Sequence, residues 1–208
     1  MTRVVIYGGS FNPPTLAHRE VVRLVAECVA DVRDIFVVPT YEHAYGKELI
    51  SFRKRMELCD LAFANIDPRV RVASLDKIVQ SEPRGSMFSI IQELRRLAPS
   101  DAEFAVVVGQ DQAEEIIPRW FNGQALIDAV DLLVVPRAGN EVGTAKCPWL
   151  FNTAERRHQL LPQLAPEFHQ VSSTVARAAF RDGITDILPD VLQDDVITYC
   201  TQRKLYND

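Results

Sequence analysis

The stretch Val4-Val5-Ile6-Tyr7-Gly8-Gly9-Ser10-Phe11-Asn12-Pro13-Pro14-Thr15-Leu16-Ala17-His18 decides the reading of this chain. It opens on a short apolar run, Val4 to Tyr7, dense in β-branched residues. That composition predicts a buried strand. Gly8 and Gly9 end it. Ser10, Asn12 and the Pro13-Pro14 pair then hold a segment that suits neither strand nor helix. From His18 onward, Val21, Val22, Leu24, Val25, Cys28 and Val29 recur at spacings of three and four, the period of an amphipathic helix. A strand, a glycine turn and a helix start form a common anion site. Glycine lets a phosphate approach the backbone, and the N–H groups of the helix start point at it. His18 sits where such a phosphate would lie.

Outward from this stretch, strands and helices alternate. Asp34 to Pro39 predicts a second buried strand, and strand–helix–strand suggests a right-handed parallel pair. Ser51 looks like the cap of a helix over Phe52 to Ala64. Val70 to Leu75 predicts a third strand and Met87 to Leu97 a helix. Glu103 to Val108 predicts a fourth strand, ending in Gly109-Gln110-Asp111. A helix over Gln124 to Val130 and a fifth strand, Asp131 to Pro136, follow. Beyond these, the pattern suggests a helix over Asn152 to Leu161 and a short sixth strand over Glu167 to Val171. Ser172-Ser173-Thr174 then caps a helix to Phe180, and a last helix runs from Leu188 to Arg203. The alternation predicts an α/β fold, a doubly wound parallel sheet of Rossmann-like kind. No repeat or linker divides the chain, so residues 1–208 are expected to form one domain, with a helical C-terminal part over 172–208.

The bulk numbers narrow the function classes. Over 208 residues, 47% hydrophobic and 25% charged are ordinary globular values. A net charge of -5 argues against a nucleic-acid partner, whose binding rests on neutralising many phosphates. The apolar runs fall short of the ~20 residues of a membrane span, and the chain opens on a strand rather than an export signal. A cytoplasmic protein with no membrane partner is expected. Cys28, Cys59, Cys147 and Cys200 lie too far apart for a metal knuckle or a redox pair, and no protein metal site is expected. Cys28, Cys59 and Cys200 fall in helical apolar patterns and read as buried reduced thiols.

In sheets of this kind, ligands bind beyond the carboxyl ends of the strands. Those ends deliver Gly8, Gly9, Asn12, Thr15 and His18, then His43 and Lys47, then Gly109, Asp111 and Trp120, then Arg137, and finally Ser172, Ser173, Thr174 and Arg177. These are phosphate donors, a carboxylate and an aromatic platform. No Ser or Cys has a plausible His and Asp partner at a nucleophile elbow. The P-loop and dinucleotide glycine fingerprints are both missing. Taken singly, each residue has a plainer reading: His18 as a cap or core histidine, Ser173-Thr174 as a helix cap, Trp120 as core. Their joint placement at one sheet edge carries the functional reading.

These residues resemble the nucleotidyltransferase superfamily with the (His/Thr)-x-Gly-His motif, and within it the bacterial nicotinate-mononucleotide adenylyltransferases. Gly8 to His18 is similar to the family's first motif. Arg55 and Met56 lie in a segment similar to its second helix. Gly109-Gln110-Asp111 with Trp120 is similar to its Gly-x-Asp…Trp segment, Arg137 to the arginine closing its fifth strand, and Val171 to Arg177 to its Ile-Ser-Ser-Thr-x-x-Arg motif. The tail through Leu205-Tyr206 resembles the family's ending. Two departures stand out. Thr15 and Ala17 replace the usual His and Gly of the first motif, Thr being the form of pantetheine-phosphate adenylyltransferases. Met87-Phe88-Ser89 replaces a Thr-Tyr-Asp/Thr segment, and the loop around Lys47 is altered.

The resemblance implies attack by the phosphate of nicotinate or nicotinamide mononucleotide on the α-phosphorus of ATP, forming the dinucleotide of NAD biosynthesis and releasing pyrophosphate. It implies His18, Thr15 and Arg177 as catalytic residues, with His18 protonated when ATP is bound. Gly8, Gly9, Ser10, Phe11, His18, Gly109, Asp111, Ser173, Thr174 and Arg177 would bind ATP, with Asp111 at the ribose. Asn12, Lys47, Phe88, Trp120 and Arg137 would meet the mononucleotide, with Trp120 stacked on the pyridine. Mg²⁺ would arrive with ATP. Adenylyl or cytidylyl transfer to another phosphate acceptor, or nucleotide binding without turnover, stays open, as does a homo-oligomer.

Overall fold

The computed structural model describes residues 3–41, 49–75, 79, 86–136, 147–151 and 158–207. His43, Lys47 and Arg137 lie outside them, as does most of the helix expected over Asn152 to Leu161. Among the described residues, one parallel sheet has the order β3-β2-β1-β4-β5-β6. Its strands are β1 (Arg3–Gly9), β2 (Val32–Pro39), β3 (Val70–Val72), β4 (Glu103–Gly109), β5 (Asp131–Val135) and β6 (Gln159–Leu160). The helices are α1 (Leu16–Cys28), α2 (Phe52–Ala62), α3 (Met87–Leu97), α4 (Gln110–Ala113), α5 (Ile116–Arg119), α6 (Gly123–Ala129), α7 (Pro148–Phe151), α8 (Ser173–Asp182) and α9 (Asp194–Gln202). The chain builds outward from β1 to β3, then returns to lay β4 on the other side of β1. The strand order therefore reverses between β1 and β4, and a crevice is expected beyond their carboxyl ends.

Both faces of the sheet are buried, which is why the central strands read as unbroken apolar runs. Val5 and Val107 join α1, α2, α8 and α9 in one core, through Val22, Val25, Leu58, Ala179 and Val196. Val4, Ile6 and Val106 join α3 and α6 in the other, through Ile90, Ile91 and Leu126. Tyr199 of α9 donates its hydroxyl proton to Glu57 of α2, latching the two helices.

The C-terminal half departs from expectation. The sixth strand is Gln159–Leu160, paired with β5, inside the segment expected to be helical. Pro162 stops it after Leu161, whose N–H donates to Val134 C=O at 2.8 Å. The strand expected over Glu167 to Val171 is instead a 3₁₀ turn, Pro166–Phe168, with Pro at its start. The last helix is broken into a 3₁₀ turn, Leu188–Asp190, and α9. The break leaves Val191 C=O to accept from Leu16 N–H at 2.9 Å, at the first turn of α1. Cys28, expected to be buried, is exposed; Cys59, Cys147 and Cys200 are buried thiols. Ser51 precedes α2 but makes no side-chain capping bond.

At the opposite end of the strands, Arg3 of β1 reaches Asp131 of β5 across the start of β4. The pair is 3.0 Å apart, with side chains only 5% and 9% exposed. Removing one member of a buried pair strands the other charge in a poor solvent. Asp131→Ala is therefore expected to destabilise the protein by about 3 kcal/mol, and an apolar replacement of both residues by much less. Urea unfolding of the single and double variants measures the difference.

Candidate active site

The turn after β1 is shaped by the groups packed around it. Phe11 takes a left-handed φ of 45°, and its buried ring stands edge-on to Tyr7, His18 and Phe63. Any contact from Phe11 to a ligand must therefore come from its backbone. Thr15 is the N-cap of α1 and His18 its third residue. Thr15 N–H donates to His18 Nδ1 at 3.0 Å, and Thr15 Oγ1 lies 2.8 Å from the same nitrogen. Thr15 Oγ1 also accepts from His18 N–H at 3.4 Å. This is a capping box with histidine in the place usually held by Glu or Gln. The plain reading of His18 as a cap holds.

That cap fixes the chemistry of the imidazole. Nδ1 is an acceptor, so the proton of the neutral ring sits on Nε2. Burial pushes the His18 pKa down to about 4. The ring is neutral near pH 7 in this geometry, and the protonated form expected at a phosphate would have to give up the Thr15 N–H bond. What His18 offers is a neutral Nε2–H donor, half-buried at the head of α1.

The second wall comes from α8. Ser172 is its N-cap and accepts from Val175 N–H at 3.2 Å. Ser173 does not cap; its Oγ donates to Pro13 C=O at 2.7 Å. Arg177 Nη1 donates to Asn12 C=O at 2.8 Å, and Nη2 to Thr174 Oγ1 at 3.2 Å. Two motifs far apart in the chain are thereby joined bond to bond.

A third contribution comes from Arg55 of α2, 1% exposed. Nη1 donates to Ser10 C=O at 2.9 Å, Nη2 to Thr40 C=O at 2.6 Å and Nε to Ile50 C=O at 3.1 Å. One guanidinium thus ties the ends of β1 and β2 together. Asn12 is also buried. Its Oδ1 accepts from Tyr206 OH at 2.9 Å and from Ile50 N–H at 3.4 Å, so this oxygen is engaged within the protein.

The remaining positions fall around the ends of β1 and β4. A Cβ on Gly8 would lie 2.7 Å from Met87 Cε, so the Met87 thioether rests over the end of β1. A Cβ on Gly109 would lie 2.9 Å from Asp111 Oδ1, which folds back over that glycine. Gly9 lies under the Phe11 ring, and Ser10 is half-buried. Phe88 and Trp120 are half-buried on the other face of the sheet, among the residues of α3 and α6. Phe88 stands edge-on to Phe121 at 6.3 Å.

Arg177 bonds both Asn12 and Thr174, Ser173 bonds Pro13, and Thr15 and His18 bond each other two residues further on, while Phe88 and Trp120 belong to the opposite core. Arg55, Met87 and Tyr206 were not among the expected site residues. Arg55 had a readable signal: with Leu58, Cys59 and Ala62 it completes the i, i+3, i+4, i+7 buried stripe of α2.

A family model described as Cytidylyltransferase-like matches residues 6–179. A protein of Anaeromyxobacter dehalogenans named probable nicotinate-nucleotide adenylyltransferase is 28% identical over 204 residues, covering 98% of this chain and 96% of its own. One of the same name from Albidiferax ferrireducens is 29% identical, covering 99% and 98%. Among solved structures, Plasmodium falciparum nicotinic acid mononucleotide adenylyltransferase complexed with NaAD superposes with a TM-score of 0.82 over 100% of this chain and 98% of its own. At 19% identity, that likeness speaks for the fold.

The desolvated imidazole makes stability depend on pH. His18 is depressed to about 4 in the folded protein and returns to about 6.5 when unfolded. Between these values the unfolded chain binds the extra proton, so stability is full above about pH 6.5 and is lost as pH falls toward 4. Between pH 7 and 5 the loss due to His18 should be on the order of 1–2 kcal/mol. Urea melts of the wild type and His18→Gln at the two pH values isolate it; a pH dependence that is the same in both would remove His18 as its source.

Proposed function

The chain belongs to the cytidylyltransferase-like family, and from that premise we propose that it transfers the adenylyl group of ATP to nicotinate mononucleotide, forming the dinucleotide and pyrophosphate. The observation that carries this reading is the joined wall. Ser173 on Pro13 and Arg177 on Asn12 put the helix start of α8 beside the capping box of α1. Near end-to-end similarity to proteins named probable nicotinate-nucleotide adenylyltransferase supports the acceptor.

An oxygen of the mononucleotide phosphate attacks the α-phosphorus. A new P–O bond forms as the bond to pyrophosphate breaks. The nucleophile is already an anion, so no general base is required, and catalysis reduces to positioning and charge stabilisation. His18 gives Nε2–H to a phosphate oxygen as a neutral donor. The Ser173 hydroxyl is spent on Pro13, so α8 contributes its first backbone N–H groups, which lack intrahelical partners. Arg177 brings the formal positive charge, and its planar fork suits the leaving diphosphate.

Mg²⁺ belongs to the substrate. Among the described residues, no three His, Cys, Asp or Glu side chains group as metal ligands. An ion entering with ATP would be held by phosphate oxygens and water. We place the reaction in the cytoplasm, on the strength of four free cysteines; among the described residues no helix is long and apolar enough to cross a membrane.

A second reading keeps the transfer and changes the acceptor. It is favoured by Met87, whose thioether covers the end of β1 from the segment that departs most from the pyridine-nucleotide enzymes.

Incubation with Mg²⁺ and ATP or CTP, against a panel of phosphate acceptors, decides between the two. Pyrophosphate released with nicotinate mononucleotide supports the first reading; release only with another phosphate supports the second; no release with any acceptor overturns both. His18→Ala should lower kcat about 10²-fold or more, the usual loss of one preorganised donor, and cost about 1–2 kcal/mol of stability at pH 7 from the lost cap, leaving the protein folded. Trp120→Ala should raise KM for the mononucleotide more than KM for ATP; an equal rise in both would mark Trp120 as core.

A further inference from the structure

Tyr206 lies far along the chain from the turn after β1, yet its hydroxyl donates to Asn12 Oδ1 at 2.9 Å. Its placement is specific. The segment after α9 passes through left-handed φ at Lys204 (49°) and Tyr206 (65°). Leu205 N–H donates to Cys200 C=O at 3.0 Å, and the buried Leu205 side chain anchors the segment in the core. The Tyr206 ring then lies against Phe180 of α8 at 6.0 Å. Burial pushes its hydroxyl pKa well up, so it stays protonated and remains a donor.

Asn12 is a junction of four segments. Its carbonyl takes Arg177 Nη1 at 2.8 Å. Its Oδ1 takes Tyr206 OH and, more weakly, Ile50 N–H at 3.4 Å. Without the Tyr206 hydroxyl, a side-chain carbonyl only 3% exposed would be left with that one long bond. A buried acceptor so placed reorients to find a partner. The same residue presents the backbone carbonyl that holds Arg177, so a turn no longer pinned through the Asn12 side chain holds that carbonyl less firmly.

We infer that Tyr206 is a positioning residue: through Asn12 it sets the phosphate-binding turn and the guanidinium of Arg177. The inference rests on the proposed nucleotidyl transfer for its effect on rate, but its effect on the turn stands independently.

The test uses the full chain and Tyr206→Phe, which keeps the ring on Phe180 and removes only the hydroxyl. Amide exchange across the turn should speed up about tenfold, the equivalent of one lost hydrogen bond. kcat should fall about tenfold, with KM for the mononucleotide little changed. In an Arg177→Ala background the same substitution should lower kcat no further, because the residue through which Tyr206 acts is gone. A merely structural Tyr206 would lower the melting temperature in both backgrounds and multiply the two kcat losses. Unchanged exchange at the turn overturns the inference, as does a kcat loss that multiplies with that of Arg177→Ala. If the wild type releases no pyrophosphate with any acceptor, the functional reading falls, and the exchange measurement alone decides on Tyr206.

Discussion

The active-site edge depends on one buried cation. Arg55 lies in the core side of α2 and spends its guanidinium on carbonyls at the end of β1, at the end of β2 and just before its own helix. The Ser10 and Thr40 carbonyls each lie one residue past the end of their strand. Two strand-end loops, held by one planar group, cannot move independently. A phosphate site built from backbone N–H groups needs that constraint, because its donors have no side-chain freedom with which to correct an error of an ångström. Arg suits the role where Lys would not: its donors lie in one plane at fixed angles and can meet several carbonyls at once.

Around that frame the proposed site has few formal charges among the described residues. His18 is held neutral by burial and by the Thr15 N–H on Nδ1. Thr15 and Ser173 are hydroxyls already engaged. Arg177, bonded to Asn12 C=O and Thr174 Oγ1, is the cation of the proposed wall. A reaction between two polyanions gains more from fixed dipoles aimed at the reacting phosphate than from a dense positive patch, since such a patch would hold the products as firmly as the reactants. The chain's net charge of -5 is compatible with such a site.

The central fold was readable because its signals are local. Valine-rich runs buried on both faces mark β1, β2, β4 and β5, and the three-and-four spacing marks α1, α2 and α3. The reading failed where structure is set from a distance. β6 is two residues long and exists because β5 offers it an edge. The helix broken after Asp190 is interrupted where Val191 C=O meets the first turn of α1, which no periodicity reports. At the proposed site, His18, Ser173 and Arg177 are expected from residue types that suit phosphate; the bonds that join their segments are not readable from the sequence. Tyr206 and Asn12 could not be paired in advance, since nothing local links a tyrosine near residue 200 to a turn near residue 12. Thr15 was readable as a motif position, but its control of the histidine tautomer needed coordinates.

The bond between Tyr206 and Asn12 also orders events during synthesis. The turn at residues 11–14 leaves the ribosome early, and β1 with α1 can begin to pack as soon as β2 follows. Yet Ser173, Arg177 and finally Tyr206 supply the bonds that fix that turn. The last strand, β6, ends at Leu160, so a nascent chain has made its whole sheet before the residues that hold the turn have emerged. ATP, abundant in the cell, would find a competent cradle only after the last helix had emerged and docked.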